Sequence, residues 1–391
     1  MIPYGRQDIS EEDISSVIEV LKSDFLTQGP VVPAFEQAVA NYCGVKHGVA
    51  VNSATSALHI ACMSLGVKKD DIVWTSPITF VASANCAIYC GANVDFVDID
   101  PVSYNMSLVA LKEKLQIAEK NGKLPKVVIP VHLAGQSCEM EEIGLLAKKY
   151  GFKVIEDASH GIGGRYKGLP IGNCMYSNIT VFSFHPVKII TTGEGGMCMT
   201  NDSELAIQMT RYRSHGITRH SSEMTQIPDG PWYYQQIALG YNYRMTDLNA
   251  ALGLSQMKKL DMFVTKRHEI ARVYNESLHD LSSIILPAQL KDTYSAYHLY
   301  IIRFKQSNKG ETRLQLFEKL RSAGILVNLH YIPVYHHPFY QRLGYKREDF
   351  PEAESYYAEA ISLPMHTVLS EEDQYFVINQ IIKPIGHQNL F

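Results

Sequence analysis

Three shortages narrow the possibilities before any motif is read. Cysteine occurs seven times in 391 residues and never as a CxxC pair, which removes the spacing of zinc ribbons and redox dithiols. Cys86 and Cys90 lie four apart on an expected helix and read as packed thiols, with no metal site and a reducing cytoplasm as the simplest home. Charge of one sign is also scarce. Lys+Arg number 36 against 40 Asp+Glu, a formal net charge of -4, so no basic surface for nucleic acid or anionic lipid is expected, and an anionic substrate has to be held by local groups. Long hydrophobic runs are missing too: no stretch approaches the ~20 residues of a membrane span. The opening "MIPYGRQDIS" has neither the basic start nor the apolar core of a secretory leader.

What is present is ordinary globular material, 46% hydrophobic and 19% charged, in a chain long enough for two domains. "SEEDISSVIEVLKSD" reads as a helix with a Ser10–Asp13 capping box and an apolar stripe of Ile14, Val17, Ile18 and Leu21. After the turn "LTQGP", a second helix through Phe35, Val39 and Tyr42 stops at Gly44. Short β-branched runs then alternate with helical patterns: "GVAVN", "DIVWTS", "VDFVDID", "KVVIPV", "KVIED". Such runs suit strands covered on both faces, hence an α/β fold with a largely parallel sheet and functional groups at the carboxyl ends of its strands. A helical pattern from Thr246 to about His279 bridges into a smaller α+β unit, giving a large domain over 1–255 and a small one over 256–391, with the N-terminal segment near the latter.

In "VFSFHPVKIITTGEGG" a single lysine, Lys188, stands in a largely apolar run. A lysine there usually buries its stem and keeps its ammonium wet; a desolvated one loses proton affinity and attacks carbonyl carbon. Other strand ends decide between these. Asp157 closes the strand "KVIED", 31 residues before the lysine, with His160 just beyond; either a turn residue or a carboxylate facing a ring nitrogen fits. "NSATSALH" starts a helix with Thr55 and Ser56, either caps or phosphate ligands. Phe80, in "SPITFVASAN", packs in a core or stacks on a flat heterocycle, and Ser183 adds a hydroxyl. GxGxxG and GxxxxGK[ST] are both absent, which removes dinucleotide and P-loop readings. Lysine, aspartate, hydroxyl-rich helix start and aromatic plate together suit pyridoxal 5′-phosphate, with Lys188 forming the Schiff base.

The chain resembles the DegT/DnrJ-type sugar-nucleotide aminotransferases, of the aspartate-aminotransferase scaffold (fold type I), along essentially its whole length. The motifs are "LTQGP", "NSATSALH", "PITFVASAN", "VHLAGQSCEM", "EDASHGIGG", "FSFHPVKIITTGEGG", "RSHGI" and "GYNYRMTDLNAALGLSQ". The resemblance implies a mostly parallel seven-stranded sheet between helices and a smaller C-terminal domain. It makes Lys188 the Schiff-base lysine, Asp157 the partner of the pyridine nitrogen, His160 the neighbour of the ring hydroxyl, and Phe80 the stacking plate. Thr55, Ser56 and Ser183 become phosphate ligands, and Asn242 reaches the phosphate of the other subunit's cofactor, implying a homodimer. Arg244 is a candidate for a substrate or donor carboxylate, or else a structural arginine.

"PYGRQ", "FLTQG", "GQSCEMEE" and "NLHYIPVYHHPFY" resemble the branch that serves pseudaminic acid synthesis. That likeness implies transfer from glutamate to the C4 ketone of a UDP-linked 4-keto-6-deoxy-N-acetylhexosamine. Tyr4, Leu26, Thr27, Gln28, Gly29, Ser56, Asn328, Leu329, His330 and Tyr331 would contact the nucleotide sugar. Related 4-aminotransferases share these loops in part. A dehydratase on the same scaffold would replace the lysine by histidine, and a cofactor-bound regulator would carry an appended nucleic-acid-binding segment; neither pattern is seen.

Overall fold

The computed structural model describes residues 1–305 and 312–386, so residues 306–311 and 387–391 of the expected second domain lie outside it. Helix α1 (Glu11–Leu21) begins at Ser10 with both halves of the capping box in place. Its apolar stripe faces the opposite way from the simplest expectation: Ile14, Ile18 and Leu21 are exposed, while Asp13 and Val20 are buried. Polar anchoring sets that rotation. The Asp13 carboxylate accepts from Lys259 Nζ at 2.6 Å, Gln256 Nε2 at 2.7 Å and the Ser10 amide at 2.9 Å, so the acidic face turns inward. Helix α2 (Val31–Cys43) ends where Gly44 turns left-handed at φ 70°, a conformation that glycine adopts without a Cβ clash.

Seven strands build the central sheet: β1 (His47–Val51), β2 (Ile72–Thr75), β3 (Asn93–Phe96), β4 (Val127–Ile129), β5 (Lys153–Asp157), β6 (Ile179–Ser183) and β7 (Gly196–Thr200), in the order β1-β7-β6-β5-β4-β2-β3. Helix α3 (Ala54–Ser64) links β1 to β2, helices α4 (Ala82–Tyr89), α5 (Leu108–Lys120) and α6 (Met140–Tyr150) form the crossovers between successive strands from β2 to β5, and β2 to β6 run parallel. β4, β6 and β7 are buried along their whole length, as a sheet covered on both faces requires. Each Val or Ile sealed in this way contributes about 1.5–3 kcal/mol. β7 runs antiparallel to both neighbours. No helix intervenes after β6, and a short return forces that direction. The return, residues 184–195, is the segment that carries Lys188.

After α7 (Ser203–Tyr212), the long helical pattern resolves into α8 (Asp247–Met257), capped by Thr246, and α9 (Leu260–Leu278). A three-stranded antiparallel sheet follows, β8 (Ile284–Ile285), β9 (Tyr300–Phe304) and β10 (Ala360–Leu363), with β9 central. Its core is shared with α9, α10 (Arg313–Ser322) and the helix Glu371–Gly386. Two segments cross between the sheets. Ile2–Pro3 pairs in parallel with Ile325–Leu326, and Tyr335, Tyr340 and Phe350 pack their rings around Phe96 of edge strand β3.

Candidate active site

A cavity of about 740 Å³ opens at the carboxyl ends of β1, β2, β5 and β6, and residues 298 and 328–331 close its far side. This is where open parallel sheets place their ligands.

Lys188 projects into it from the β6–β7 return. The backbone there is pinned: the Lys188 amide donates to His185 O at 2.9 Å, and the Thr192 amide and Thr191 Oγ1 both donate to Phe184 O at 3.0 Å. Lys188 leaves part of its surface open to the cavity while protein crowds its amine. Desolvation pushes that amine down to about 8, against the opposing attraction of Asp157. A neutral amine is therefore accessible near physiological pH, unlike that of a surface lysine.

Asp157 ends β5 and is buried. Oδ1 accepts from the Ser159 amide at 3.1 Å and Ser159 Oγ at 2.5 Å, and Oδ2 accepts from Ser83 Oγ at 2.6 Å. Three residues on, His160 accepts the Ala134 amide at Nδ1 (3.3 Å), so its ring proton sits on Nε2 and points to Tyr331 Oη, 3.1 Å away. Desolvation, then the proximity of Lys188 and His330, lowers its proton affinity well below the ordinary histidine value. Burial with Lys188 nearby pushes His330 down to about 3. These imidazoles are neutral, and Lys188 is the one lysine or arginine among the described residues lining the cavity, beside Asp157 and Glu194.

On the β1 side, Ser53 is the cap of α3, accepting the Ser56 amide at 3.1 Å. Thr55 and Ser56 lie inside the first turn, and the amides of Ala54 and Thr55 have no partner within the helix. Ser56 Oγ donates to Asn52 Oδ1 at 2.7 Å. Gly196 allows β7 to lie against this turn: a Cβ there would stand 2.5 Å from the Ala54 nitrogen. Phe80 is 58% exposed and lines the cavity rather than a core, and Ser183 lines it from the end of β6.

The cavity thus brings together Lys188, Asp157, His160, Phe80, Thr55, Ser56, Ser183, Tyr4, Asn328, Leu329, His330 and Tyr331. Other expected positions stand apart from its lining. Leu26, Thr27, Gln28 and Gly29 form a loop tied to α8, where Asp247 takes the Gly29 amide at 2.7 Å. Asn242 is exposed and bridges to Ser214, and Arg244 bridges to Val51. Sequence reasoning missed Ser83, Ser159, Glu194 and His298. The two serines and Glu194 lie inside quoted motifs without having been singled out, whereas His298 sits at the entrance to a strand with no local signal. The His298 ring centroid is 4.3 Å from that of His160, with Nδ1 buried and unpartnered.

The model of the DegT/DnrJ/EryC1/StrS aminotransferase family matches residues 7–382. The chain belongs to that family. A Campylobacter jejuni relative, a UDP-4-amino-4,6-dideoxy-N-acetyl-β-L-altrosamine transaminase, is 40% identical over 381 residues, 96% of each chain. The spore coat polysaccharide biosynthesis protein SpsC of Bacillus subtilis is 39% identical over 382 residues, 97% of this chain and 96% of that one. Among solved structures, Helicobacter pylori PseC, an aminotransferase of pseudaminic acid biosynthesis, superimposes with a TM-score of 0.89 at 32% identity, covering 99% of both chains. The pyridoxal-phosphate form of a putative sugar aminotransferase from Streptococcus pneumoniae gives 0.88 at 29% identity, covering 100% of both. The chain is accordingly a fold type I sugar aminotransferase with pyridoxal 5′-phosphate as cofactor. The donor set fits that group: a desolvated amine, a buried carboxylate, unpartnered helix-start amides and a glycine-lined approach to them.

Proposed function

We propose that this protein transfers the amino group of glutamate to the C4 ketone of a UDP-linked 4-keto-6-deoxy-N-acetylhexosamine, giving UDP-4-amino-4,6-dideoxy-N-acetyl-β-L-altrosamine for pseudaminic acid. The observation that carries the chemistry is one desolvated lysine facing one buried aspartate in the cavity; the sugar follows from the Campylobacter relatives. Pyridoxal 5′-phosphate supplies a protonated aromatic ring that holds the electron pair released when a Cα–H bond breaks. Lys188 would hold the cofactor's aldehyde carbon and, when its amine is free, would carry the donor's Cα proton to that carbon, first as base and then as acid. Asp157 would keep the ring nitrogen protonated, His160 would neighbour the ring hydroxyl, and Phe80 would stack on the ring. The first turn of α3, with Thr55, Ser56 and Ser183, binds phosphate with help from the helix dipole. Tyr4 and residues 328–331 hold the sugar.

Two features favour a homodimer with shared sites. Among the described residues the cavity lining offers no arginine for the carboxylates or diphosphate of the substrates, and Asn242 and Arg244 stand outside it. The surface meanwhile carries exposed Ile14, Ile18, Leu21, Trp232 and Leu239. On this reading a second copy covers the apolar residues, Asn242 meets its cofactor phosphate, Arg244 meets a carboxylate, and the 26–29 loop meets the sugar. The two-domain division at 255/256 and a cytoplasmic setting, which keeps the seven free thiols reduced, complete the proposal. The test is a panel of UDP-linked 4-keto and 3-keto sugars with glutamate, products read by mass and proton couplings. The expected result is amination at C4 of the L-configured sugar, abolished in Lys188→Ala. Preferred amination of a D-configured or 3-keto sugar overturns the substrate, and full turnover by Lys188→Ala overturns the mechanism.

A further inference from the structure

The Asp157 carboxylate is held by a directed chain of hydroxyls. Ser83 Oγ lies 2.6 Å from Asp157 Oδ2 and 2.7 Å from Thr79 Oγ1, all three side chains buried. A serine has one hydroxyl proton, and an ionised carboxylate only accepts. Ser83 therefore donates to Asp157, and Thr79 must donate to Ser83. Ser159 Oγ holds the other carboxylate oxygen at 2.5 Å. Two hydroxyls on different elements, one from each side, leave the carboxylate little freedom to rotate. Ser83 also sits one turn beyond Phe80: its amide donates to Phe80 O at 3.2 Å. The same turn thus carries the aromatic plate and the group that orients the carboxylate.

We propose that Ser83 is a positioning residue for the transamination, acting through Asp157, with Thr79 fixing the direction of its hydroxyl. This rests on the reading that Asp157 faces the ring nitrogen of the cofactor. Charge-assisted hydrogen bonds are the stronger class, and a carboxylate robbed of one rotates and meets the ring nitrogen less well. Ser83 touches neither substrate nor cofactor in this scheme; its effect passes wholly through Asp157.

The test is a double-mutant cycle on the full-length protein. Wild type, Ser83→Ala, Asp157→Asn and the double variant are stripped of cofactor and titrated with pyridoxal 5′-phosphate by fluorescence quenching. Single-turnover rates with glutamate form the second readout. Ser83→Ala is expected to weaken cofactor binding roughly tenfold, the scale of one charge-assisted hydrogen bond. Asp157→Asn weakens it more, and adding Ser83→Ala to Asp157→Asn costs nothing further. Ser83→Thr, which keeps the hydroxyl, restores wild-type behaviour, and Thr79→Val gives a smaller loss of the same sign while leaving Ser83 in place. Independent, multiplying losses in the double variant, or wild-type affinity in Ser83→Ala beside a weak Asp157→Asn, overturn the role of Ser83 alone. Wild-type affinity and rate in Asp157→Asn overturn the reading of Asp157 itself.

Discussion

The clearest quantitative consequence of the site is that Lys188 should destabilise the protein when no cofactor is bound. Its amine is pushed from 10.5 down to about 8 by desolvation, with Asp157 opposing. Two and a half pK units at 1.36 kcal/mol each amount to about 3.4 kcal/mol. Water in the cavity screens the partly open side chain, so we take about 2 kcal/mol as the working figure. The sign follows from proton counting. Between pH 8 and 10.5 the unfolded chain holds a proton that the folded chain has lost, so wild-type stability rises with pH across that window. Below pH 8 both states are protonated and the folded state bears the whole penalty.

Lys188→Met, which keeps the stem and removes the amine, should therefore raise the stability of the cofactor-free protein at pH 7 by about 2 kcal/mol, a few degrees in Tm. That advantage should fall by roughly 40–60% at pH 9.5. Thermal scans of both cofactor-free proteins at pH 7 and 9.5 measure it. A variant less stable than wild type at pH 7, or an advantage unchanged at pH 9.5, would refute the claim that the amine is desolvated in the fold.

Two further outcomes follow from the packing. Asp13→Ala removes the acceptor shared by Lys259, Gln256 and the Ser10 amide, and should cost about 2–3 kcal/mol in urea unfolding; a loss under 0.5 kcal/mol would mean that apolar contacts alone orient α1. Gly196→Ala drives a Cβ to 2.5 Å from the Ala54 nitrogen, so it should lower stability by about 1–3 kcal/mol and weaken titrated pyridoxal phosphate; unchanged cofactor affinity would detach the first turn of α3 from phosphate binding.

What the sequence revealed tracks how local the cause was. The Ser10 box, the Gly44 stop and the helix start at Thr246 are set by neighbours three or four residues away, and each lies where the pattern put it. The parallel strands declared themselves through β-branched runs, because burial on both faces leaves no alternation. The rotation of α1 was not legible: it depends on Lys259 and Gln256, more than 240 positions off. In the site, Lys188, Asp157 and the start of α3 stood out because strand ends are local features. His298 did not. Its backbone is held by Arg267, fully buried in α9, which donates to the carbonyls of Tyr297 and His298 at 3.1 and 3.2 Å, and to Met365 O at 2.9 Å. A guanidinium gathering three carbonyls from two distant segments leaves no trace in either segment.

The pairing of Ile2–Pro3 with Ile325–Leu326 sets a schedule on the ribosome. At ~5–20 residues per second the N-terminus waits roughly 16–65 s for its partner strand to be made. During that interval Ile2, later buried at 7% exposure, has no place to dock. The earlier-made strand of this pair is secured only when the later one arrives.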